Sequence, residues 1–130
     1  MRFLLTFARS AIGGVILGWV FAHFSFVLPV RRLRETETLL AFHHPQPSCP
    51  VHILLVPKKA LRSFTEVTAA DAELISEIIQ TAQSLIEEFN LERGGYRLIV
   101  NGGDYQDVAQ LHFHLVSETP PQATLANSQS

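Results

Sequence analysis

Cysteine is almost absent from this 130-residue chain: Cys49 stands alone, so no intramolecular disulfide can form. A lone thiol fits a reducing compartment. Positive charge is also in short supply, with 10 Lys and Arg against 12 Asp and Glu and a formal net charge of -2. No basic stripe interleaved with aromatics appears, so nucleic acid is not an expected partner. No internal repeat is visible. The largest gap is local: from Ser10 to Val30 there is no Asp, Glu, Lys or Arg. As a helix rising about 1.5 Å per residue, that run is about 31 Å long, close to one bilayer core.

The uncharged run predicts a single-pass membrane anchor over residues 1–32. Gly14 and Gly18 have the spacing at which two such helices can approach closely. A cleaved signal peptide is the competing reading, with Arg2 and Arg9 as its basic region and a cut after Ala22. Val20 fits the small-residue requirement of that site poorly, and the apolar run continues through Phe24, Phe26, Val27 and Leu28. Arg31, Arg32 and Arg34 follow the run, against Arg2, Arg9 and the terminal amine before it. This arginine balance favours a cytoplasmic domain after the anchor.

Residues 33–118 read as one small α+β domain, and 119–130 as a polar, disordered tail. A short charged linker leads to a first strand, Thr38 to Phe42. The loop from His43 to Pro50 holds three prolines, which no central strand accommodates. Val51 to Val56 is a second strand, apolar except for His52. Thr68 and Asp71 have the spacing of a capping box. Leu74, Ile75, Ile78, Ile79, Ala82, Leu85, Ile86 and Phe89 then recur at helical spacing, so one stripe packs on the sheet. Gly94-Gly95 turns the chain into a strand from Tyr96 to Asn101. Four strands with short connections permit an antiparallel sheet with one long helix.

The alternation in Gln110-Leu111-His112-Phe113-His114-Leu115-Val116 places Gln110, His112 and His114 on one face of a final strand. Imidazole can serve as nucleophile, proton carrier or metal ligand near neutral pH, so two in register point to chemistry as readily as to a half-buried strand. No Cys or Glu completes a recognisable metal-ligand pattern with His52, His112 and His114, and no metal or other cofactor is expected.

Taken in order, several separated motifs resemble the histidine-triad (HIT) nucleotide-binding family, most closely its Hint-type branch, over about Glu37 to Ser117. They are Leu39-Leu40-Ala41-Phe42, Pro47 through Lys59 around His52, Gly94 through Asn101, and Gln106-x-Val108-x-Gln110-x-His112-x-His114. The resemblance implies a homodimer with a continuous sheet and two active sites. It also implies a purine nucleotide or nucleoside phosphoramidate as substrate, and hydrolysis through a nucleotidyl-histidine intermediate. His112 corresponds to the nucleophile, with its ring held by the Gln110 carbonyl. His114 and His52 correspond to phosphate-facing histidines. Gln106 and Asn101 correspond to residues at the phosphate loop, and Phe42 and His44 to the nucleoside side.

Three positions depart from the family pattern. Gln110 stands where the first triad histidine is usual, and an amide cannot exchange protons. Asp107 stands where a small hydroxyl or amide is common, and a carboxylate there repels an anionic substrate. His44 stands where an aspartate usually grips the ribose hydroxyls. These departures support an alternative expectation, a catalytically attenuated module that binds nucleotide. Lys58 and Lys59 are expected to be solvated surface residues.

Overall fold

The computed structural model describes residues 32–120. The anchor expected over 1–32 lies outside the described residues except for Arg32, as does the tail after Pro120. Among the described residues no helix is long and apolar enough to cross a membrane.

Five strands, not the expected four, form one antiparallel sheet: β1 (Arg32–Glu35), β2 (Leu39–His43), β3 (Val51–Pro57), β4 (Arg97–Val100) and β5 (Phe113–Ser117). Their spatial order is β1-β2-β3-β5-β4. The added strand is the stretch read from sequence as a charged linker. Edge position explains it: a strand with one neighbour can leave its charges in water. Leu33 packs against the core, while Arg34 pairs with Glu88 at 2.7 Å and Glu35 with Lys58 at 2.9 Å. Lys58 and Lys59 are therefore both paired, the latter to Asp71 at 2.5 Å.

One long helix, α1 (Ala72–Glu88), crosses one face of the sheet, and a single turn, α2 (Leu91–Gly94), follows it. The predicted capping box is present: Thr68 Oγ1 accepts from the Ala70 N–H at 3.2 Å, and Asp71 Oδ2 accepts from the Thr68 N–H at 2.9 Å. This start is a 3-10 turn that runs directly into α1. Ile78, Ala82, Leu85 and Ile86 of α1 pack on Leu39 and Ala41 of β2, Val51, Ile53 and Leu55 of β3, and Phe113 and Leu115 of β5. Burying each of the larger side chains contributes about 1.5–3 kcal/mol, which makes this layer the main source of stability. Gly95, at φ 106°, makes the turn before β4 in a conformation that other residues rarely adopt.

The opposite sheet face carries a smaller apolar cluster, Phe42, Leu54 and Val56, flanked by Leu40 and Val108. With both faces covered, every residue of β3 is buried. That double burial explains its almost unbroken apolar sequence.

The final strand begins at Phe113, three residues later than the alternation predicts. Both ladders of β5 end at Phe113, paired with Leu55 of β3 and Val100 of β4, so Gln110 and Leu111 make no ladder pair. They bond instead to the chain leaving β3. Leu111 N–H donates to Leu61 O at 2.8 Å, and the Gln110 amide donates to Pro57 O at 2.9 Å and Lys59 O at 3.1 Å.

Candidate active site

Antiparallel registry brings the distant histidines together. Leu54 of β3 is paired with His114 of β5, and His52 with Val116, so His52 and His114 are diagonal neighbours on the face away from α1. Their rings meet at 2.9 Å between His52 Nε2 and His114 Nδ1. His44, just past β2, stacks on His52 with ring centroids 4.3 Å apart. The His112 ring stands edge-on to His114 at 5.0 Å. Four imidazoles thus form one row, with Leu54 and Phe42 beside His114 across the same sheet face.

The partners of these rings fix where their protons sit. A carbonyl only accepts, so the 2.7 Å contact between His112 Nδ1 and Gln110 O requires a proton on Nδ1. In the neutral ring Nε2 then bears the lone pair. A backbone N–H only donates, so His52 Nδ1, 3.1 Å from Ser48 N, must be unprotonated. His52 therefore donates through Nε2–H to His114 Nδ1, and neutral His114 carries its proton on Nε2. The relay starts at a loop amide and leaves an imidazole N–H for an oxyanion.

Burial pushes the pKa of His52 down from 6.5 to about 4, with the neighbouring His44 adding to the effect. Burial also lowers His114 to about 4, reinforced by His112 and His52 and opposed by Asp107. Both rings are neutral at pH 7 and act as dipolar donors, not as fixed cations. The imidazoles spend nitrogens on one another and on backbone groups. Among the described residues no set of three or more His, Cys, Asp or Glu side chains converges on a common metal position.

The remaining candidate residues occupy different roles in the geometry. His44 Nδ1 accepts from the Gln46 N–H at 3.0 Å, which orients the ring stacked on His52. Phe42 is buried beside Leu54 on the face that carries the row. Asn101 follows β4 directly, one residue beyond the pair Val100 and Phe113. Gln106 donates its amide to Arg62 O at 2.7 Å and Val108 O at 2.8 Å, closing the loop before the histidines. Gln110 enters the site through its backbone carbonyl, while its side-chain donors clamp the exit of β3. Asp107 places Oδ1 4.0 Å from His112 Nε2.

Ser48 is a contributor that the sequence pattern does not single out. Its amide sets the tautomer of His52, and the signal lay in its position within Pro47-Ser48-Cys49-Pro50, a rigid loop ending just before that histidine.

This sheet, backed by one helix, has counterparts among known proteins. The sequence matches the HIT domain family over residues 25–120. The chain belongs to the HIT family. An uncharacterized HIT-like protein of Synechococcus elongatus is 33% identical over 91 residues, covering 68% of this chain and 79% of the relative. An uncharacterized HIT-like protein of Helicobacter pylori is 30% identical over 92 residues, covering 69% and 86%. Among solved structures, a HIT family hydrolase from Legionella pneumophila Philadelphia 1 superposes with a TM-score of 0.68 at 29% identity, covering 78% of this chain and 91% of that one. A histidine triad protein from Clostridium difficile gives 0.66 at 27% identity, covering 78% and 89%. The HIT fold and the likeness to a HIT family hydrolase both fit a sheet face that carries a row of histidines.

Proposed function

We propose that this HIT protein is a Hint-type purine nucleoside phosphoramidase or nucleotidyl hydrolase that acts through a covalent nucleotidyl-His112 intermediate. The 2.7 Å bond from His112 Nδ1–H to the Gln110 carbonyl carries the reading, because it directs the lone pair to Nε2. Nε2 attacks the α-phosphorus and the bond to the leaving group breaks, with its electron pair passing to that group. His114 Nε2–H, kept neutral and oriented by His52, donates to a phosphoryl oxygen as negative charge builds there. Water then cleaves the phosphorus–nitrogen bond to His112, giving the nucleoside monophosphate and restoring the neutral ring. His44 and Phe42 border the nucleoside side, with Gln106 and Asn101 at the phosphate loop.

Incubation with an adenosine phosphoramidate tests this directly. Wild type is expected to release adenosine monophosphate and to yield an acid-labile nucleotidyl adduct, and His112→Ala to do neither. Equal turnover by both proteins refutes the assignment. One observation favours a second reading, a nucleotide-binding module with attenuated turnover: the Asp107 carboxylate lies 4.0 Å from the attacking nitrogen. Nucleotide binding by wild type without an adduct selects that reading.

Pairing of two copies belongs to the same proposal. β4 is an edge strand whose flank exposes Tyr96 and Leu98, an apolar border suited to a second copy of the sheet.

A further inference from the structure

The departing half of the substrate still has no place in the site. A cleft of about 400 Å³ is bordered by Arg62, Ser63, Glu66, Gln106 and Asp107. Its charges do not cancel. Glu66 is engaged by Arg62, accepting from the Arg62 backbone N–H at 2.8 Å and lying 3.7 Å from the guanidinium Nε. Asp107 has no Lys or Arg partner within ion-pair distance among the described residues; it faces the imidazoles, with His112 at 4.0 Å and His114 within reach of its field. The cleft therefore carries one uncompensated negative charge at the end nearest the nucleophile.

That position matters for the reaction. A substrate poised for attack holds its phosphorus about 3–3.5 Å from Nε2, so the substituents on phosphorus share their space with the Asp107 carboxylate. An anionic leaving group such as pyrophosphate is repelled there. An amine is not, and a leaving amine with a second, protonated nitrogen is attracted.

We infer that this cleft receives the leaving group, and that Asp107 makes the enzyme selective for phosphoramidates whose amine half carries a positive charge. The inference rests on His112 being the phosphoryl acceptor. As Nε2 bonds to phosphorus, the scissile phosphorus–nitrogen bond breaks with its electron pair going to the amine nitrogen. That nitrogen takes one proton from water in the open cleft to leave as the neutral amine, and a second proton from solvent then makes it an ammonium ion. Asp107 faces the cation while it is bound and again as it departs.

Three adenosine phosphoramidates test the assignment on the full chain, with butylamine, diaminobutane or aminobutyrate as the leaving amine. They differ mainly in charge at the far end: neutral, positive or negative. Wild type is expected to give kcat/KM highest for the diaminobutane compound and lowest for the aminobutyrate compound, each step about two- to fivefold because the Asp107 side chain is 73% exposed and screened. The spread shrinks in high salt. In Asp107→Asn the three values converge. Cleavage of all three by wild type without discrimination, or an unchanged spread in Asp107→Asn, overturns the leaving-group assignment and leaves the nucleotidyl-His112 reading intact. Failure of wild type to cleave any of them overturns both.

Discussion

Replacing Gln110 with glutamate changes one atom of a buried clamp. The amide nitrogen donates to two backbone carbonyls, Pro57 O at 2.9 Å and Lys59 O at 3.1 Å, from a residue 2% exposed. A carboxylate in the same place offers no donor and confronts both carbonyls with negative charge, so the Gln110→Glu variant folds with its new carboxyl group protonated. Holding a carboxyl of ordinary pKa about 4.3 in its acid form at pH 7 costs about 3.7 kcal/mol, and at pH 5 only about 1 kcal/mol. The acid form has one O–H, so one carbonyl loses its donor at either pH, at a further cost of about 1–3 kcal/mol. Urea unfolding of wild type and Gln110→Glu at pH 7 and pH 5 measures the difference. The stability gap is expected to narrow by about 2.7 kcal/mol on going to pH 5. In Gln110→Met, which loses both donors but adds no charge, the gap is expected to be independent of pH. A pH-independent gap for Gln110→Glu would mean that this side chain reaches water, and would refute the clamp.

The depressed histidines predict a second pH dependence. His52 and His114 titrate near 4 when folded and near 6.5 when unfolded, so between these values the unfolded chain binds more protons. Their contribution to stability is complete above pH 6.5 and declines as pH falls towards 4; denaturant midpoints should follow that course, less steeply in His114→Asn. Light scattering on residues 33–119 at micromolar concentration should give a dimer mass. A folded monomer there would remove the edge-to-edge assembly through β4.

Period and punctuation made most of the fold legible before any coordinates. The apolar stripe of α1, the capping box at Thr68 and Asp71, and the glycine turn before β4 are local signals with local causes, and each appears where the sequence places it. β1 was illegible because an edge strand needs few apolar residues. Only Leu33 packs on the core, so the segment reads as a solvated charge run. The alternation from Gln110 to Val116 correctly grouped the histidines but began the strand too early, because periodicity does not say where hydrogen-bonded pairing stops. It stops at Phe113, and Gln110 and Leu111 turn their bonds to Pro57, Lys59 and Leu61. The family resemblance supplied the Gln110 carbonyl that holds His112, and the structure has that bond. The proton assignment of His52 was beyond the sequence: it follows from an amide four residues away, and spacing alone does not say which way that group points.

β1 also sets how the domain meets mechanical force. The chain preceding Arg32 enters the sheet through its outermost strand, which bonds only to β2 and shows a register shift between Arg32 and Arg34. Tension applied at that end strains the β1–β2 ladder first. His52 and His114 are held on β3 and β5, further in, with two ladders separating β1 from β3 and a third joining β3 to β5. β1 can peel away as a mechanical fuse and forfeit little more of the core than the packing of Leu33. Tension entering at Arg32 meets the β1–β2 ladder before the β3–β5 pair that sets the spacing between His52 and His114.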